Sequence, residues 1–89
     1  MLYPYATFPE HLIITYSDVK NDGSVHVNFE QPTDYGFKEA RYTLPTQKKL
    51  FSDGYTSKEE QNLERILNNN QELIMEMAKE TGEKVAESN

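Results

Sequence analysis

His11-Leu-Ile-Ile-Thr-Tyr-Ser17, Lys20-Asn-Asp-Gly23 and Ser24-Val-His-Val-Asn-Phe-Glu30 decide the fold when they are read together. The first and third runs are rich in β-branched and aromatic residues and alternate at period two, the period of a pleated strand. Leu12, Ile14 and Tyr16 share one face of the first run, and Val25, Val27 and Phe29 share one face of the other. The run between them holds residues that tolerate positive φ, which makes the unit a hairpin. Centring the turn on Asn21 and Asp22 sets Ile14 opposite Phe29 and Tyr16 opposite Val27, so both apolar stripes fall on the same side. A slip of one residue would separate them.

Downstream, Gln31 to Gly36 concentrates turn formers, so the second strand is expected to end near Pro32. Phe37-Lys-Glu-Ala-Arg-Tyr-Thr-Leu44 then reads as a third antiparallel strand, with Ala40, Tyr42 and Leu44 on the apolar side and Glu39, Arg41 and Thr43 opposite. Phe37 is out of phase with that side, which points to a bulge or to a start near Lys38. Thr46-Gln-Lys-Lys-Leu-Phe51 reads as one short helical turn capped by Thr46 and broken at Asp53-Gly54. Ser57-Lys-Glu-Glu60 reads as a capping box, followed by Leu63, Ile66, Leu67, Leu73, Ile74, Met77 and Ala78 at helical spacing. This long helix is expected from Lys58 to Thr81, with Gly82 as its stop and a disordered tail over residues 83–89. Asn70 lies within the apolar stripe, where a polar residue either fixes register and oligomeric state or sits at the rim. Tyr3, Tyr5 and Phe8 read as a fourth strand at the sheet edge, or else as an arm that pairs with another chain.

The expected architecture is therefore α+β: a small antiparallel sheet of three or four strands packed on one long C-terminal helix, in the order β-β-β-α-α, as a single domain over residues 1–82. The 89 residues leave no room for a second core. Six tyrosines and four phenylalanines offset the low aliphatic content. The far side of the sheet would carry Thr15, Ser17, His26, Asn28, Glu30, Glu39, Arg41 and Thr43, a polar surface open to water or to a partner.

Composition narrows the function. A net charge of −6 opposes phosphate backbones, so nucleic acid is not the expected ligand. The absence of cysteine removes disulfides, zinc–thiolate sites and cysteine nucleophiles. Residues 1–9 have neither the basic nor the apolar region of a signal peptide, and no apolar run would span a bilayer, so a cytoplasmic location is expected. His26 is the first place to look for acid–base chemistry, with Ser17 across the strands and Asn28 and Glu30 along the same strand. The alternation of the sheet demands polar residues at these positions in any case, and Ser17 occupies no activating turn. His26, Glu30 and Glu39 would spread too far apart on a flat face to hold a metal. Glu59, Glu60, Glu64, Glu72 and Glu76 lie on a helix without histidine. The four glycines are isolated and form no phosphate loop. No catalytic, cofactor-binding or metal-binding residue is assigned.

His26-Val-Asn-Phe-Glu-Gln-Pro32, Gly36-Phe-Lys-Glu-Ala-Arg-Tyr-Thr-Leu-Pro45 and Asn69-Asn-Gln-Glu-Leu-Ile74 resemble strings in small uncharacterised bacterial proteins of the domain-of-unknown-function kind. The resemblance spans residues 11–80. Such proteins are often encoded near mobile elements or toxin and antitoxin genes, and the resemblance implies an accessory or binding role without carrying over a catalytic residue. The leading expectation is a non-enzymatic module that acts through protein–protein contacts, either with a different protein or as a homodimer formed by strand addition at its sheet edges or by face-to-face pairing. One alternative is a nucleic-acid-associated regulator of antitoxin type, using Lys38, Arg41, Lys48 and Lys49 as a local basic patch. A second is a hydrolytic enzyme using His26 and Glu30.

Overall fold

The computed structural model describes the backbone of residues 1–87 and the side chains of residues 1–81. Five strands follow one another, β1 (Leu2–Phe8), β2 (Leu12–Ser17), β3 (Val25–Thr33), β4 (Gly36–Leu44) and β5 (Lys49–Asp53), and the helix α1 (Ser57–Glu87) closes the chain. Each strand pairs antiparallel with the next, giving a meander in the order β1-β2-β3-β4-β5.

The β2–β3 hairpin has the expected register, with Ile14 opposite Phe29 and Tyr16 opposite Val27. Its turn is closed by the amide of Gly23 donating to the carbonyl of Lys20, and Asp22 Oδ1 accepts from both the amide and the hydroxyl of Ser24. Gly23 has φ 85°, the left-handed backbone this turn requires. The stripe continues across β4, where Val25, Val27 and Phe29 face Leu44, Tyr42 and Ala40.

The structure decides one open alternative and changes other expectations. Residues 2–8 form an edge strand with a bulge between Pro4 and Ala6, so the N-terminal aromatics are tied into the sheet. β3 continues past Pro32 to Thr33, and Phe37 pairs in register with Pro32, without a bulge in that ladder. Pro32 lies beyond the last β2–β3 pair, Ile13 with Glu30, where no second neighbour asks for its missing N–H. Thr46 to Phe51 is not a helical turn. A cis Leu44–Pro45 bond leads into a reversal, and Lys49–Asp53 pairs with β4 as a fifth strand. Lastly, the helix cap sits one residue earlier than Ser57. The amide of Thr56 donates to Glu59 Oε1 at 2.9 Å and the amide of Glu59 donates to Thr56 Oγ1 at 3.2 Å, a reciprocal capping box.

The helix runs to Glu87 rather than stopping at Thr81, and the tail expected over residues 83–89 lies outside the residues whose side chains are described. Leu63, Leu67, Ile74 and Ala78 of α1 join Leu12, Ile14, Tyr16, Val25, Val27, Phe29, Ala40, Tyr42 and Leu44 in one buried cluster. Leu73, expected in the stripe, is turned away and 55% exposed. Leu67 is fully buried at the centre of the only helix that covers this sheet among the described residues. Its replacement by alanine is expected to cost about 2–5 kcal/mol in denaturant unfolding, a large part of a small domain's stability.

Gly54 is a second sensitive point. It has φ 89°, and a Cβ there would come within 3.1 Å of the Lys38 side chain. Gly54→Ala is expected to lower stability by roughly 1–2 kcal/mol, from left-handed backbone strain alone before the crowding is added. An unchanged unfolding midpoint would contradict this.

Candidate functional site

α1 covers one face of the sheet, so the residues alternating with the core form the other face. Three cross-strand rows run over it. His26 faces Thr43, Asn28 faces Arg41 and then Phe51, and Ile13 faces Glu30, Glu39 and Asp53 in succession. All the residues expected on this face are there, but it is less open and less polar than expected. Ser17 and Asn28 are 2% and 4% exposed, closed over by their neighbours. Phe37, Ile13 and Phe51 stand in the surface at 59%, 38% and 38% exposure.

Arg41 organises the middle. Its guanidinium lies 5.4 Å from the centre of the Phe51 ring, and its Nε donates weakly to Asn28 Oδ1 at 3.4 Å. The adjoining row sets Glu30 directly beside Glu39, and Glu39 beside Asp53. Like charges directly opposite on neighbouring strands oppose folding. Among the described residues no lysine or arginine forms an ion pair with any of these three, because the salt bridges lie on the other face, from Lys38 to Glu59 and from Lys49 to Glu60. Thr15 Oγ1, beside Asn28, is buried without a hydrogen-bond partner among the described residues.

His26 and Glu30 are not brought together. Four residues apart on one extended strand, they are roughly 13 Å apart along the backbone, too far for a proton to pass directly. Ser17 Oγ donates to the carbonyl of Asp18 at 2.8 Å and accepts the backbone amide of His26 at 2.9 Å, so this hydroxyl is committed to the hairpin end. Among the described residues no group of three or more histidine, aspartate or glutamate side chains is placed to hold a metal ion. The proposed basic patch is divided. Lys38 and Lys49 turn to the helix and pair with Glu59 and Glu60, whereas Arg41 lies on the outer face and Lys48 is exposed before β5.

On the helix side, Tyr55 lies under the Lys38 ammonium, 5.5 Å from the ring centre. Burial and the carboxylates Glu59 and Glu30 push its hydroxyl up to about 12. Tyr55 borders a cleft of about 420 Å³ between the β1–β2 turn and the start of α1. That cleft carries both charge signs, Glu10 and Glu59 against Lys58 and Arg65, and selects neither. Asn70 has an intramolecular role: its Oδ1 accepts the Tyr5 hydroxyl at 2.6 Å and its Nδ2 donates to the carbonyl of Ile66 at 2.7 Å.

Sequence reasoning passed over Phe37 and Phe51 as surface residues. The phase of β4 already assigns Phe37 to the side of Glu39 and Arg41. Phe51 becomes legible only once β5 is known to be a strand. Comparison with protein-family models, with curated proteins and with solved structures finds no match, so any functional reading rests on the geometry of this chain. No helix among the described residues is long and apolar enough to cross a membrane.

His26 offers a direct check on this face. Burial, and then the charges of Lys20 and Arg41, hold its imidazolium below the ordinary value of about 6.5, with Asp22 opposing. The unfolded chain therefore takes up this proton first as pH falls. The stability contributed by neutral His26 is complete above about 6.5 and is lost as pH drops through the lower folded value. An NMR titration is expected to place His26 below 6.5, and His26→Gln is expected to flatten the stability profile in that window. A midpoint at or above 6.5 would contradict the packing described.

Proposed function

We propose that this protein is a small non-enzymatic binding module that acts through protein–protein contacts, and that the outer face of its sheet receives a partner presenting basic and apolar groups. One observation carries this reading. The row Glu30–Glu39–Asp53 has no ion-pair partner among the described residues, and the exposed side chains of Ile13, Phe37 and Phe51 flank it. A solvated polar face would not need three large apolar side chains, and a row of like charges opposes folding unless something cationic neutralises it. An approaching surface with lysine or arginine at its rim and aliphatic groups between would satisfy both. The net charge of −6 would favour encounter with such a partner from a distance.

The test is co-purification with the native chain beside a variant carrying Phe37→Ser and Glu39→Lys. Both positions lie away from the core: Phe37→Ser is expected to change stability by no more than about 0.5 kcal/mol, and Glu39→Lys, set between Glu30 and Asp53, is expected to hold or raise it. Partners of the native chain are expected to be lost from the variant and to dissociate from the native chain as salt rises. Equal recovery with both chains would remove the outer face from consideration.

A further inference from the structure

The two edges of the sheet are unlike each other. β1 carries Pro4, which has no N–H to offer, and a bulge follows between Pro4 and Ala6. The proline disfavours the addition of another strand along β1. β5 is also bulged, at Leu50 between the pairs Tyr42–Lys49 and Arg41–Phe51, but it holds no proline, and its sequence Lys49-Leu-Phe-Ser-Asp53 leaves Leu50 and Phe51 exposed at 43% and 38%.

Charge is polarised along β5. Lys48 and Lys49 stand at its start and Asp53 at its end, with the two apolar side chains between. Lysines at an edge ordinarily guard it against pairing. Here Lys49 is drawn to Glu60 at 2.9 Å, whereas Lys48, held opposite Thr43 by a 2.8 Å backbone bond, forms no ion pair among the described residues. Asp53 forms none either.

We propose that β5 is a self-pairing edge, through which a second copy of this chain adds antiparallel to form a continuous ten-stranded sheet. A strand paired antiparallel with its own copy about a twofold axis lays each end on the opposite end of its partner. Lys48 of each copy therefore meets Asp53 of the other, and the Leu50 and Phe51 side chains pack across the axis. Both helices lie on the same side of the joined sheet, so both outer faces stay exposed around Ile13, Glu30, Phe37 and Glu39, while Phe51 and Asp53 are taken up at the seam. The contact is small, one five-residue edge, which places the dimer among weak, concentration-dependent associations.

Sedimentation over a dilution series tests this with the full chain and three variants, Lys48→Asp, Asp53→Lys and the two combined. The native chain is expected to pass from monomer to dimer as concentration rises. Each single reversal sets like charges together twice per dimer and is expected to weaken association by roughly tenfold or more. The double reversal restores opposite charges and is expected to restore the dimer. A chain that stays monomeric up to its solubility limit would overturn the proposal, as would a dimer that both single reversals leave intact or that the double reversal fails to rescue. A Phe37→Ser chain serves as the control, because it alters the outer face without changing a neighbour of Asp53: it is expected to dimerise normally, and loss of the dimer there would place self-association on the outer face instead.

Discussion

The packing of Leu63, Leu67, Ile74 and Ala78 of α1 against the apolar face of β2, β3 and β4 is the contact on which the other elements depend. A meander of five strands exposes one largely apolar face, which is only marginally stable in water until a second layer covers it. A single helix supplies that layer. Because it is narrower than the sheet, the central strands bury completely while β1 and β5 are covered only in part: Tyr3, Tyr5 and Phe8 remain half-buried and β5 is mostly exposed. The same arithmetic leaves the far face of the sheet uncovered among the described residues, so the helix stripe also decides which face stays exposed.

Polar groups fix how the helix lies once burial has brought it down. Tyr5, Tyr16 and Tyr42 place their rings toward the core and extend their hydroxyls to Asn70, Thr81 and Glu64. Gln47, beyond the end of β4, spans Asn68 and Gln71, and the ion pairs Lys38–Glu59 and Lys49–Glu60 hold the first turns. Burial and Glu64 drive the Tyr42 hydroxyl well above its ordinary range, which keeps the proton that it donates to Glu64. These bonds add little net energy each, but an apolar stripe alone would permit sliding along the sheet. Asn70, polar at the middle of the stripe, has its partner only in the correct position.

The central hairpin, its register and the third strand were legible because parity is a local signal: alternation at period two leaves one phase in which Ile14, Tyr16, Val27 and Phe29 share a side. β5 was not legible. Thr46 looks like a helix cap and Lys-Lys-Leu-Phe suits a helical turn, yet pairing with β4 overrides both, and edge strands show little apolar alternation of their own. The capping box was read one residue late because Thr56 and Ser57 each precede a glutamate by three, and only the backbone decides between them. Asn70 was recognised as exceptional, but its partner lies 65 residues away, beyond any window of sequence. The outer face was placed correctly and its character was not, since burial of Ser17 and Asn28 depends on neighbouring strands closing over them.

The meander order also sets the sequence of events during synthesis. Every strand pairs only with its immediate predecessor and successor, so the sheet can zip together hairpin by hairpin as it leaves the ribosome. The helix that covers it is encoded after all five strands. Until α1 emerges, Val25, Val27, Phe29 and Tyr42 face solvent on a sheet that has everything except its second layer. A chain paused or truncated before Leu63 would be a sticky ribbon and a natural client for a chaperone.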